Sequence, residues 1–153
     1  MNILLIFATN SGGTQIASGI VSEILKDHNH QITVKNVREA DPSELANFDL
    51  VIFGSPTWDY NGQEGQVHVD YRPFMEKAKG LTLPNKKFAV YGLGDSTYTY
   101  FCGAVGHLEN FIKNLGGQLI TDSLKIDGFY FDQDKNSKIV SDWAENLAAK
   151  LTG

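Results

Sequence analysis

The stretch ILLIFATNSGGTQIASGIVSEI, residues Ile3–Ile24, decides how the rest of the chain is read. Ile3–Phe7 is an unbroken apolar run rich in branched side chains, the pattern of a strand buried on both faces. A turn of small residues follows. Then Ile16, Ile20 and Ile24 recur every four residues, joined by Val21 and Leu25, the spacing of a helix entered near Thr14. Strand, small-residue turn and helix in succession open a parallel α/β unit. The turn also has the layout of an anion-binding loop. Thr9, Asn10, Ser11 and Thr14 supply side-chain donors, Gly12 and Gly13 permit close backbone approach, and the helix start offers free N–H groups and a positive dipole end. Phe7–Gln15 nevertheless contains no lysine or arginine, so whatever anion it holds is held without a counterion.

The same alternation continues outward from this unit. Leu50–Gly54 and Lys87–Gly94 read as further strands of the buried kind, Ile32–Val37 alternates as an edge strand would, and Gln118–Gly128 is mixed in character. Between them Asp41–Leu45 offers an Asp cap, Pro at the first helical position and Glu three residues past the cap. A weak helix is expected near Tyr71–Lys79. Val105, Leu108, Phe111, Ile112 and Leu115 form a stripe closed by Gly116 and Gly117. Ile139, Trp143, Leu147 and Leu151 form another, with Asn136 or Ser137 as its cap. Right-handed crossovers through this order give an α/β three-layer, doubly wound sandwich on a five-stranded parallel sheet of order 2-1-3-4-5. Ligands of such sheets bind outside the carboxyl ends of the strands at the switch point, which draws attention to Ala8–Gly13, Ser55–Asp70 and Gly94–Gly103.

Bulk properties narrow the classes. With 153 residues, 42% of them hydrophobic and 20% charged, the chain suits one compact domain over 1–153. A net charge of −5 argues against a general nucleic-acid binder. A single cysteine excludes an intrachain disulfide and a Cys-rich metal site, and suits a reducing compartment. The opening MNILLIFATN has no basic region and too short an apolar run for a signal peptide or membrane span, so a cytoplasmic location and no membrane association are expected. No His/Cys/carboxylate group has metal-ligand spacing.

Missing motifs remove several readings of the first loop. There is no GxxxxGK[ST] of the triphosphate-hydrolysing kind and no GxGxxG after the first strand. A phospho-receiver domain would carry an acidic pair after the first strand and an Asp ending the third, where this chain has Thr9-Asn10 and Ser55-Pro56. A Ser/Gly turn that merely caps a helix accounts for the loop equally well when it is taken alone. The other two loops tip the balance. GSPTWDYNG (Gly54–Gly62) and GLGDSTYTYFCG (Gly92–Gly103) each set aromatics beside small residues at the same sheet edge, and Trp58 with Tyr98 suggests a slot for a flat aromatic ligand.

With TNSGGT, SPTW and GDSTYTYFCGAV in these positions, and with LENFIKNLGGQLITDSLKIDG continuing the last of them, the chain resembles the flavodoxin family over essentially its whole length. Without a long insertion in the last strand, it is similar to the short-chain type. The resemblance implies non-covalent FMN, whose phosphate would be held without a cation by Thr9, Asn10, Ser11, Gly12, Gly13 and Thr14. It places Pro56 and Thr57 along the ribityl chain and ring, Trp58 on the inner face of the isoalloxazine and Tyr98 on the outer face. Gly94, Asp95, Tyr100, Phe101 and Cys102 would line the pyrimidine edge, mostly through backbone groups. A backbone carbonyl after the Trp-type residue is expected to turn toward flavin N5. Here that segment reads Asp59, Tyr60, Asn61 and Gly62, with the first glycine unusually late and the loop to Tyr71 unusually long.

The function implied is a low-potential one-electron carrier between a reductase and acceptor redox proteins, working as a monomer and without substrate chemistry of its own. Its encounters would be transient and electrostatic. An enzyme on the same scaffold, an NAD(P)H-dependent FMN quinone or nitro reductase, is the alternative, but it needs a nicotinamide approach that Tyr98 would obstruct. A module that has lost its cofactor is a further reading, opposed by the intact first loop. Cys102 is expected to pack as a small hydrophobe. His28, His30, His68 and His107 are expected at the surface; Glu64, Asp70, Asp127, Asp132 and Asp134 either ring the flavin edge as a partner surface or, as the stronger default, form a plain solvated face.

Overall fold

The computed structural model describes residues 1–10, 12–60, 62–97 and 99–151, with only the backbone of Tyr60. Ser11, Asn61 and Tyr98, assigned above to phosphate, loop and outer flavin face, lie outside the described residues. The strands are β1 (Asn2–Phe7), β2 (Gln31–Asn36), β3 (Leu50–Pro56), β4 (Trp58–Tyr60), β5 (Gln63–Gln66), β6 (Lys87–Gly94), β7 (Gln118–Leu119) and β8 (Leu124–Asp127). The α-helices are α1 (Gly13–Asp27), α2 (Tyr71–Lys77), α3 (Gly103–Leu115) and α4 (Gln133–Leu151). The central sheet runs β2-β1-β3-β6, with β7 and β8 both paired to the outer edge of β6, and all of these pairings are parallel. The expected switch point therefore lies between β1 and β3.

Strand periodicity explains the three layers. Leu4, Ile6, Val51, Phe53, Phe88 and Val90 face one core, closed by α2 and α3. Their neighbours Ile3, Leu5, Leu50, Ile52, Ala89 and Tyr91 face the other, closed by α1 and α4. Every one of these strand residues is fully buried, as the unbroken apolar runs require. The helix stripes read from the sequence hold for Val21, Leu25, Trp143 and Leu147, but their edges differ. In α1 the buried row is Ala17, Val21 and Leu25, while Ile16 is exposed and Ile20 and Ile24 are half-buried. In α4 it is Val140, Trp143, Ala144, Leu147 and Ala148, with Ile139 exposed. Ala17, Ala144 and Ala148 share the inward faces with these larger residues, while Ile16 and Ile139 turn outward.

Three local features differ from expectation in type or boundary. The mixed segment Gln118–Gly128 is two short strands, β7 pairing Lys87–Phe88 and β8 pairing Tyr91–Gly94, separated by a break. The Asp41 capping box forms, with Ser43 N–H donating to Asp41 and Asp41 N–H to Glu44, but the helix it starts is a 3-10 turn at Pro42–Asn47. Helix α4 begins before Asn136 and Ser137, and the Asp132 carboxylate accepts the Lys135 N–H at 3.1 Å instead. Asn136 is buried and donates to the carbonyls of Gly128 and Phe129, each at 3.1 Å, which ties the turn after β8 to α4.

Candidate functional site

At the carboxyl edge of β1, β3, β6 and β8 the structure has a cavity of about 530 Å³, within the usual range for small-molecule and cofactor pockets. Three expected loops converge there: Thr9, Asn10, Gly13 and Thr14 from the first, Pro56, Thr57, Trp58 and Asp59 from the second, and Gly94, Asp95, Tyr100 and Cys102 from the third. Among the described lining residues there is no lysine or arginine, while Asp59, Glu64 and Asp95 are acidic. The described residues also include no metal-binding cluster of His, Cys, Asp or Glu.

Each loop is held from below. The Thr9 side chain accepts the Gly12 N–H at 2.9 Å, and Gly12 has φ of 91°, a left-handed value that a side chain would strain. A Cβ on Gly13 would stand 2.9 Å from Leu93 Cδ2, so the loop is pressed onto the sheet end. Thr57 N–H donates to Leu93 O at 2.8 Å, and its hydroxyl accepts the Ala104 N–H at the start of α3. Asp95 accepts the Thr97 N–H and hydroxyl at 2.9 and 2.7 Å, and Asp127 accepts the Ser96 N–H at 2.9 Å. Hydrogen bonds from the Ser96 side chain and backbone hold the Asp127 carboxyl below the usual carboxylate range.

The donor set fits a phosphomonoester carried by a flat ring. Thr14 is 1% exposed, yet its hydroxyl finds no hydrogen-bond partner among the described residues. A buried unpaired hydroxyl is costly, so its persistence at the mouth of α1 points to a ligand atom. The Trp58 ring, 40% exposed, and Tyr100 border the same cavity and leave apolar surface open toward it.

Not every expected residue joins the lining. Gly62 sits at the exposed tip of the β4–β5 hairpin, and Phe101 packs against the core beneath α3. Gly12 braces the loop without lining the cavity. Conversely, Gly65, Leu93, Phe129 and Tyr130 line it and were not foreseen, and Glu64, weighed only as a flavin-edge or solvated acid, lines it as well. The rule that ligands sit beyond strand carboxyl ends applies to β8 as well, and it would have pointed to Phe129 and Tyr130. Glu64 and Gly65 return on the far strand of a hairpin that the dipeptide Asn61-Gly62, standing in sequence between β4 and β5, could have announced.

Cys102 is buried, with Gly92 O and Ile126 O each 3.7 Å from its sulfur, and burial pushes its thiol up to about 12. It is a packing residue, as the sequence suggests. His68 is a correction: it is buried behind Trp58, the two rings 6.2 Å apart, and its Nδ1 accepts the Asp70 N–H at 3.1 Å. Burial holds its imidazole below the ordinary value, against an opposing pull from the nearby Asp70. With the folded value the lower one, the unfolded chain binds more protons below about pH 6.5, and stability falls as pH drops through that window. Denaturant melts at pH 7 and pH 5 are expected to show this loss, and His68→Asn, which keeps an acceptor near Nδ1, is expected to shrink it. An unchanged pH dependence in the variant removes His68 from the account.

The flavodoxin family profile matches residues 5–138. The chain is 35% identical over 149 residues to a flavodoxin of Maridesulfovibrio salexigens, covering 97% of each. It superimposes on the crystal structure of oxidised Flavodoxin 2 from Bacillus cereus with a TM-score of 0.87 and 29% identity, covering 98% of this chain and 99% of that one. A Fusobacterium nucleatum flavodoxin variant solved bound to flavin mononucleotide shares the fold, with a TM-score of 0.78 at 21% identity over 93% of this chain and 92% of that one. A cation-free loop, a cavity at the β1–β3 switch point and sequence identity along nearly the whole length agree: the chain belongs to the flavodoxin family.

Proposed function

We propose that the protein holds FMN non-covalently in this cavity and carries single electrons at low potential between a reductase and acceptor redox proteins. The observation that carries the reading is the buried Thr14 hydroxyl, without a hydrogen-bond partner among the described residues, beside a cavity whose described lining has no Lys or Arg. Bound FMN supplies the one- and two-electron chemistry; the protein sets its energy and shields it. Thr9, Asn10, Gly13 and Thr14 bind the phosphate through neutral donors, with Ser11 of the same loop, and leave its charge uncompensated, while Gly12, whose N–H is given to Thr9, holds the shape of the loop. Trp58 covers one ring face, and Pro56, Thr57, Gly94, Asp95, Tyr100 and Cys102 border the remainder. The residues leave negative charge near the ring from Asp59, Glu64 and Asp95, which disfavours adding more.

The chain acts as one domain and as a monomer in the cytoplasm, where a reducing setting suits its single buried thiol. Donor and acceptor proteins dock transiently at the open cavity mouth, guided by charge, so their association weakens with salt. Among the described residues no helix is long and apolar enough to cross a membrane.

A stepwise reductive titration with spectra tests the reading. The flavin potentials are expected to lie below those of free FMN, and NADPH alone is expected not to bleach the yellow protein anaerobically. Rapid bleaching by NADPH favours the quinone or nitro reductase alternative. In the same titration Asp59→Asn is expected to raise the potential of the second electron by on the order of 30 mV, at about 59 mV per tenfold. An unaltered potential excludes Asp59 as a contributor.

A further inference from the structure

The turn after β8 brings an aromatic pair against the first loop. Phe129 is buried, Tyr130 is half-exposed, and their rings meet edge to face at 5.5 Å. Asn136 braces this turn through Gly128 O and Phe129 O, so the pair is held from α4 rather than left to the loop itself. A Cβ on Gly12 would stand 3.3 Å from the Tyr130 hydroxyl oxygen, and one on Gly13 would stand 3.4 Å from Tyr130 Cε2 and 3.5 Å from Phe129 Cδ1. The two glycines thus clear space for Tyr130 as well as for a ligand. Tyr130 and Thr14 line the same cavity, whose described lining offers an anion no Lys or Arg.

We propose that the Tyr130 hydroxyl, held over Gly12 by the Asn136-braced turn, is a ligand to the terminal phosphate and sets the preference of the site for phosphorylated over unphosphorylated flavin. The inference rests on the FMN reading. Where the described lining supplies no Lys or Arg, each neutral donor carries a larger share of the phosphate's binding, and a hydrogen bond to a charged group is stronger than one between neutral groups. A phenol held by packing loses little freedom when it donates.

The test measures FMN and riboflavin affinities, by quenching of flavin fluorescence, for apo-protein of the wild type, Tyr130→Phe and Phe131→Ala. Tyr130→Phe keeps the ring against Phe129 and removes only the hydroxyl. The ratio of riboflavin to FMN dissociation constants is expected to fall about tenfold in Tyr130→Phe, through FMN alone, at constant salt. Phe131, 88% exposed in the same turn, is expected to leave the ratio at its wild-type value when shortened to Ala. An unchanged ratio in Tyr130→Phe, or an equal fall in Phe131→Ala, overturns the inference while wild-type FMN binding leaves the cofactor reading standing. A wild type that binds no FMN sinks both.

Discussion

Gly103→Ala is expected to weaken FMN binding roughly a hundredfold and to cost about 1–3 kcal/mol of stability, although it adds a single methyl at the start of a helix. The methyl carbon would stand 2.4 Å from Gly65 O and 2.8 Å from Gly65 Cα, both backbone atoms that no rotamer change can move. Gly65 in turn has φ of 77°, and a Cβ there would meet Tyr100 Cβ at 2.6 Å. Gly103 N–H donates to Tyr100 O at 3.1 Å. Hairpin, third loop and α3 therefore meet backbone to backbone at one point, and Glu64, Gly65 and Tyr100 line the cavity on its other side. Forcing the hairpin away opens that wall. Gly106→Ala, one turn along α3 with nothing within 4 Å of the added carbon, is the matched control. It is expected to stabilise by about 0.5–1 kcal/mol through helix propensity and to leave FMN affinity unchanged. Equal FMN affinities for the two variants contradict the argument.

Thr14→Val separates binding from stability by sign. Valine matches the shape of threonine and removes the hydroxyl. That hydroxyl is buried and unpartnered among the described residues, so the apo-protein is expected to hold its stability or gain about 1 kcal/mol. FMN affinity is expected to fall roughly tenfold to a hundredfold, because the partner proposed for the hydroxyl is the phosphate, while riboflavin affinity stays. Apo-protein melts and paired flavin titrations read the two effects. A variant that loses stability without a selective loss of FMN would place Thr14 in the fold rather than in the site.

The sheet was legible because its strands are buried on both faces. Ile3–Phe7, Leu50–Gly54 and Lys87–Gly94 contain no polar side chain that could mark a solvent face apart from the leading Lys87, and that pattern has few other homes. Edge features were less legible. Gln118–Gly128 hides a break between two short pairings to one neighbour, and side-chain periodicity does not encode a break of that kind. The inward faces of α1 and α4 were legible at Val21, Leu25, Trp143 and Leu147 but not at their small residues or at Ile16 and Ile139. Close packing on a sheet favours Ala17, Ala144 and Ala148, whereas periodicity gives most weight to large residues such as Ile16 and Ile139.

The candidate site divides along the same line. Contiguous donors such as Thr9, Asn10, Gly13 and Thr14 announce themselves, because an anion loop is local in sequence. Residues that arrive through tertiary packing do not. Gly65 reaches the cavity on the returning strand of a bulged hairpin, and Tyr130 reaches it from a turn 116 residues beyond Thr14. The length of the segment after Trp58, odd as sequence, is this hairpin: β4 and β5 pair antiparallel, with Trp58 opposite Gln66.

The central claim is that a neutral cradle holds the phosphate of a flavin whose ring lies between loops of the β1–β3 switch point. Its most direct test is the titration of folded apo-protein with FMN and with riboflavin under the same conditions. One equivalent of FMN is expected to bind with a Kd below about 1 μM, and riboflavin at least about a hundredfold more weakly. Apo-protein with a native melt that binds no FMN, or that binds riboflavin as tightly as FMN, contradicts the account.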